Sequence, residues 1–217
     1  MKVLVACEYS GIVRDAFTAM GHEAWSCDIL PTESPGNHIQ GDVLEVLGQR
    51  WDLMVAHPPC THLSVSSAPW FAKGHKPWQL QYDALDFVRA LMNAPIPKIC
   101  IENPVSVISS KIRKPEQIIQ PYQFGHDAQK TTCLWLKNLP SLEPTDILPK
   151  PGYVTTPSGK KWPKWFYETS LVNHKERGKV RSRFWTGIAK AMADQWSDLP
   201  PALDQACLPI DDQPRQA

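Results

Sequence analysis

Short apolar runs alternate with helical stripes along the first 130 residues. Lys2–Cys7 (KVLVAC) is a continuous apolar run of the length of a buried strand. Past Gly11, the apolar residues of Val13–Met20 are spaced for a helix, which Gly21 closes. Glu23–Cys27 reads as a second strand ending at Asp28, and Trp51–Ala56 as another, stopped by His57-Pro58-Pro59. Trp78–Asn93 carries Leu80, Ala84, Leu85, Phe87, Val88 and Leu91 on one helical stripe. Lys98–Ile101 is a strand running into Glu102-Asn103-Pro104, and Thr132–Leu136 is a further strand. Phe184–Trp196 is an amphipathic helix, and the proline-rich residues after 197 read as a tail. Strand–helix–strand alternation predicts an α/β fold, a mostly parallel sheet with helices on both faces.

The chain has 217 residues, 42% of them hydrophobic, which suits one domain with a sizeable core. Its 21 prolines argue against a helical bundle. No apolar run is long enough to cross a membrane, and the N-terminal apolar stretch is too short for a secretory signal, so a cytoplasmic location is expected. The six cysteines are scattered without CxxC spacing and read as reduced thiols.

Lys and Arg total 23 against 22 acids, which excludes nucleic-acid binding by bulk charge alone. The balance hides an asymmetry. The first 60 residues hold three basic residues against eight acids, whereas Asp146–Arg183 holds nine against three, interleaved with Tyr153, Trp162, Trp165, Phe166 and Tyr167. Such a stretch is a candidate DNA-facing surface; the competing reading is solvated lysines over a small aromatic cluster.

Ligands of open α/β sheets sit outside the carboxyl ends of the strands. Those ends here carry Glu8-Tyr9-Ser10-Gly11, Asp28, Asp42, Pro59-Cys60 and Glu102-Asn103-Pro104. A small-residue turn followed by two acids fits an adenosine-containing cofactor, since a carboxylate can accept from ribose hydroxyls. As ordinary turn or cap residues, Asp28 and Asp42 would be bland. Cys60 leaves an apolar strand on a loop stiffened by two prolines and is a candidate nucleophile. Zinc held by His57, Cys60 and His62 fits no common ligand spacing. Glu102, at the end of an apolar strand, is expected to be partly desolvated and therefore biased toward its protonated form.

In this order the pieces resemble the DNA (cytosine-5) methyltransferases. Pro59-Cys60 is similar to their Pro-Cys nucleophile motif and Glu102-Asn103-Pro104 to their Glu-Asn-Val motif. Ala6–Gly11, Asp28 and Gly41-Asp42 stand where their cofactor motifs stand, and Arg181-Ser182-Arg183 with Gly187-Ile188-Ala189 resembles their closing segment. The short form, with PPCTHLS, FGH and KTTCLWLKNLP, resembles compact members encoded by bacteriophages and prophages.

The resemblance implies a Rossmann-like methyltransferase fold, S-adenosylmethionine as cofactor, DNA as partner, a monomer, and the bacterial host cytoplasm. It implies catalytic roles for Cys60, Glu102 and Lys130. Cofactor contacts are implied for Cys7, Glu8, Tyr9, Ser10, Gly11, Asp28, Ile29, Asp42 and Pro58. DNA contacts are implied for Ser64, Lys160, Lys161, Lys164, Arg181 and Arg183. The expected layout is a catalytic and cofactor-binding part over 1–140, a basic recognition insert over 141–180, a returning helix over 181–197 and a tail over 198–217. Several residues depart from the pattern: the first loop lacks a second glycine, Thr61 replaces Gln after Pro-Cys, and Gln129–Cys133 contains no arginine. Two other readings share the residues, a transferase acting on free pyrimidine nucleotides or carrying a modified methyl, and an inactive DNA-binding protein of the same fold. A dinucleotide oxidoreductase is disfavoured by the absence of Gly-x-Gly-x-x-Gly after the first strand.

Overall fold

The structure, a computed structural model, describes residues 1–199, leaving aside the side chains of residues 174 and 175. The expected tail lies almost entirely outside the described residues. In chain order the elements are β1 (Lys2–Ala6), α1 (Ile12–Ala19), β2 (Glu23–Asp28), β3 (His38–Gln40), β4 (Leu53–Ala56), α2 (Ala68–Ala72), α3 (Gln79–Met92), β5 (Lys98–Pro104), α4 (Ile108–Lys111), β6 (Gln117–Ile119) and β7 (Thr132–Lys137). They are followed by β8 (Tyr153–Thr155), β9 (Lys161–Pro163), α5 (Lys164–Ser170), α6 (His174–Ser182) and α7 (Thr186–Trp196).

Seven strands form one sheet in the order β3-β2-β1-β4-β5-β7-β6. The first five are parallel to one another, while β7 runs antiparallel to both β5 and β6. The chain builds outward from β1 to β3, then returns across β1 to start β4. That reversal opens a crevice between the carboxyl ends of β1 and β4, where an open α/β sheet receives its ligand. The fold is Rossmann-like, as expected.

Side-chain alternation divides the core. Val3, Val5, Leu53 and Val55 face α1 and α7, where they meet Val13, Phe17, Ile188, Met192 and Trp196. Leu4, Ala6, Met54 and Ala56 face α3 and meet Leu85, Val88 and Leu91. Both faces of a parallel sheet are thus buried, which explains why its strands read as unbroken apolar runs rather than alternating ones.

Two boundaries differ from the sequence expectation for a physical reason. β5 does not end at Ile101 but continues through Glu102 and Asn103 to Pro104. Its neighbour β4 stops with Ala56 opposite Ile101, whereas β7 stays paired along the other edge as far as Pro104. Glu102 is therefore a strand residue, not a loop residue. Helix α7 begins at Thr186 because Phe184 and Trp185 are drawn off to pack on the rings of His57 and His126, with centroids 4.6 and 5.0 Å apart. The first turn of α7 lies so close to the chain around Phe124 that a Cβ on Gly187 would sit 1.9 Å from the Phe124 carbonyl oxygen, and the Gly187 N–H donates to His126 Nε2 at 2.9 Å.

Candidate active site

The loop after β1 is shaped by the start of α1. Glu8 is buried, and its carboxylate accepts from the backbone N–H groups of Val13 at 2.8 Å and Arg14 at 3.2 Å, with the Ser10 hydroxyl donating to it at 3.1 Å. An anion at a helix N-terminus satisfies otherwise unpaired donors and opposes the helix dipole. Gly11 turns the chain at φ 76°, and a Cβ there would lie 2.3 Å from the Arg14 guanidinium. Arg14 is itself buried, donating to Ser26, Thr32 and the carbonyls of Ser34 and Pro35. Glu8, Ser10 and Gly11 therefore form a structural corner that fixes the turn presenting Cys7 and Tyr9.

Cys7, Tyr9, Asp28, Ile29, Asp42 and Cys60 meet in one cleft of about 680 Å³ at the carboxyl ends of β1, β2 and β4. Arg181 and Ser182 of α6 roof it, and Tyr9 reaches the Ser182 hydroxyl at 3.4 Å. Asp28 and Asp42 each spend one oxygen locally, accepting from Leu30 N–H and Leu44 N–H at 2.9 Å. They serve as turn and cap residues and line the cleft as well. Burial pushes the Cys7 thiol far above its ordinary value and that of Cys27, behind it, up to about 11, so both behave as apolar wall.

Cys60 is exposed at the mouth of the cleft, on the turn that follows the two prolines. Although the residue is exposed, the protein crowding one side of its thiol partly desolvates it and, with the charge of Glu102, raises it, while Lys130 pulls the other way. The ends of β4 and β5 are tied together by the Asn103 side-chain amide, which donates to the Pro58 carbonyl at 2.8 Å. Pro58 is buried and structural, placing the turn but not lining the cleft.

The Glu102 carboxylate lies 3.0 Å from His57 Nδ1, with both side chains nearly buried. Burial pushes its carboxyl up, but the His57 hydrogen bond and charge, together with the charge of Lys130, outweigh that and hold it below the ordinary carboxylate range. The expected protonated bias is corrected: Glu102 rests ionised because an imidazole from a distant part of the chain stands against it, a pairing that leaves no local mark in the sequence. His57 lines the cleft wall, and Glu102, 9% exposed, lies against its Nδ1. The other ring nitrogen, Nε2, is buried without a partner among the described residues. From the sequence His57 enters only as a zinc ligand; its place at the end of an apolar strand, like that of Cys60, is the signal that marks it.

Lys130 donates to the Arg181 carbonyl at 2.9 Å, tying α6 to the site. The basic stretch is less free than its composition suggests. Lys164 pairs with Asp127 at 2.7 Å, and Arg183 with Glu33 at 2.9 Å, where Lys179 joins it at 2.5 Å. Arg181 turns inward, donating to Thr169 Oγ1 and the Phe166 carbonyl and lying 4.2 Å over the Phe166 ring. Trp162 packs edge-on against Phe166, and Trp165 against Trp185. Of the expected DNA contacts, Lys164, Arg181 and Arg183 are thus engaged within the chain, Ser64 caps the short turn at Val65–Ser67, and Lys160 and Lys161 stay exposed on the β8–β9 hairpin.

No family profile and no curated protein matches the chain. Among solved structures it is similar to a protein provisionally assigned as a DNA modification methyltransferase encoded within an E. coli prophage, at 14% identity and a TM-score of 0.46, over 69% of this chain and 52% of that one. It is also similar to MtNAS in complex with MTA and tNA, at 10% identity and a TM-score of 0.34, over 64% and 53%. The chain spans about half the length of these structures.

Proposed function

We propose that the chain transfers a methyl group from S-adenosylmethionine to carbon 5 of cytosine in DNA through a transient covalent bond to Cys60. One observation carries the reading: an exposed cysteine after the end of β4 stands near the nearly buried His57–Glu102 pair, which joins the end of β4 to β5, and Lys130 acts on both Cys60 and Glu102. The cleft beside the thiol suits the cofactor. It offers carboxylates, Asp28 and Asp42, for hydroxyl and amino groups and an apolar lining of Ile29, Leu30, Val43 and Phe87 for a purine. S-adenosylmethionine supplies an electrophilic methyl on sulfur.

The work of the chain is to make carbon 5 nucleophilic. Cys60 Sγ, as thiolate, bonds to carbon 6 of the ring, and the displaced π electrons make carbon 5 an enamine carbon. The thiol needs help to ionise, and the nearby charge of Lys130 supplies it. Ring charge is offset by a proton at N3. Glu102 rests ionised, so it accepts from the amino group and acts toward N3 only with a proton, which the His57 imidazole at 3.0 Å is placed to pass on. Once carbon 5 is substituted, a base takes its proton, the N3 proton returns to Glu102, the double bond re-forms and Cys60 leaves as thiolate. In a duplex the cytosine must first leave the stack.

The engagement of Lys164, Arg181 and Arg183 within the chain favours a second reading, transfer to a free pyrimidine nucleotide with the same chemistry at Cys60. Incubation with methyl-labelled S-adenosylmethionine and, separately, duplex DNA, single strands and cytidine nucleotides, followed by digestion, tests both. Labelled 5-methylcytosine from DNA supports the main reading, label in nucleotides alone the second, and absence of label in every arm refutes both.

A further inference from the structure

The segment that follows Cys60 is unusual in its charge. From Leu53 to Tyr82 the chain contains no Asp or Glu, a run of 30 residues bracketed by Asp52 and Asp83. Within it, Trp70 is 57% exposed and Trp78 50%, with Tyr82 and Val65 both at 53%. These are large apolar groups left in water in the segment that follows the candidate nucleophile, and their exposure is held in place. Trp78 stacks at 5.3 Å on the buried Phe71, and the His75 ring lies 5.6 Å from that of Trp70, past a turn at Gly74 with φ 73°. Lys76 lies over Phe71 and donates to the Thr61 carbonyl at 3.2 Å, fastening the aromatic segment to the residue next to Cys60. Lys73 is exposed between them.

Exposed indoles, lysines and the absence of any acid within the run suit one partner chemistry: a polyanion with flat faces to stack. In a duplex those faces are covered by neighbouring bases, whereas an unpaired strand offers them. The surface a duplex would need is meanwhile depleted, since Lys164, Lys179, Arg181 and Arg183 are engaged within the chain. We propose that Val65–Tyr82 is a stacking platform for single-stranded nucleic acid, with Trp70 and Trp78 taking bases and Lys73 a phosphate, which delivers an unpaired cytosine to Cys60. The inference rests on the proposed reaction for that last clause only; the binding surface stands apart from it.

Binding is measured without cofactor, by tryptophan fluorescence and by titration of a labelled oligodeoxynucleotide as single strand and as duplex across a salt series. The single strand is expected to bind at least tenfold more tightly than the duplex and to quench the emission. Trp70→Ala is expected to lose roughly tenfold in single-strand affinity, as one base–aromatic stack would. Lys73→Ala is expected to make the slope of log affinity against log salt shallower by about 0.7. Trp70 and Lys73 are exposed, and unchanged circular dichroism and melting of both variants exclude a folding defect. Equal affinity for duplex and single strand, or single-strand binding untouched by both substitutions, overturns the platform. So does self-association through Trp70 seen in sedimentation, with no quenching by either oligonucleotide. Transfer assays separate the two ideas: tight, Trp70-dependent binding with no methyl incorporated refutes the reaction and keeps the platform, whereas methylated duplex with no role for Trp70 does the reverse.

Discussion

Removal of the His57 imidazole exposes what holds the Glu102 charge in the interior. Glu102 is 9% exposed, and burial alone would raise its carboxyl; the imidazole 3.0 Å away and the charge of Lys130 reverse that. A hydrogen bond to a charged group contributes about 1.5–3 kcal/mol. His57→Leu removes that contribution, so the Glu102 carboxyl should rise and burial should dominate it. In the wild type a depressed carboxyl contributes stability that is present above the ordinary carboxylate range and is lost as pH falls through the folded value. In the variant a raised carboxyl makes the ionised form a liability at neutral pH, relieved by protonation as pH falls. The stability gap should then be about 3 kcal/mol near pH 8, the scale of a broken buried pair, and should narrow as pH falls toward 4, reaching about 1 kcal/mol only below the folded carboxyl value, where lost packing against Phe184 remains. His57→Gln, which keeps a donor to the carboxylate, should fall between. Urea denaturation at a series of pH values reads the gap, and the carboxyl carbon shift of Glu102 reads the titration directly. A gap that is flat from pH 4 to pH 8, or a Glu102 titration unmoved in His57→Leu, refutes the account.

Three further outcomes follow from the site. Cys60→Ser should abolish transfer and adduct formation on DNA containing 5-fluorocytosine while cofactor binding, read by calorimetry, is retained; near-normal turnover rules out Cys60 as nucleophile. Asp28→Ala should weaken S-adenosylmethionine by about 1.5–3 kcal/mol for each charge-assisted hydrogen bond lost, and unchanged calorimetric affinity removes Asp28 from the cofactor site. Lys160→Ala with Lys161→Ala should make the duplex salt slope shallower by up to about 1.8. Adding Lys164→Ala should change it little further, because Lys164 is already paired with Asp127; a third full increment shows that the pair opens for phosphate.

Much of the sheet was legible because parallel strands covered on both faces are written as apolar runs. Those at Val3–Ala6, Leu53–Ala56 and Ile99–Ile101 carry no internal ambiguity. The short strands β3 and β6 were not legible: three residues give no period, and each is defined by the neighbour it pairs with. The antiparallel turn of β7, which lengthens β5 and makes Glu102 a strand residue, is likewise set by pairing and not by the local sequence. In the site, the strand-end rule gathered Tyr9, Asp28, Asp42 and Cys60, since topology alone brings carboxyl ends to one edge.

What escaped the sequence was pairing across long separations. Arg183 meets Glu33 150 residues away, and Glu102 meets His57 45 residues away. Each pairing changes a chemical assignment: the first takes a cation from the expected DNA surface, the second turns an expected acid into a carboxylate. The ties bear on one another. Glu33 holds Lys179 and Arg183, Tyr9 meets Ser182, and Lys130 holds the Arg181 carbonyl, so α6 is fastened over the same cleft that Asp28 and Asp42 line. The basic charge counted in the sequence is thus used in large part to roof the cleft. Any polyanion that engages Lys179 or Arg183 must compete with Glu33 for them, while Lys73, in the acid-free segment beyond Cys60, is exposed and has no ion pair among the described residues.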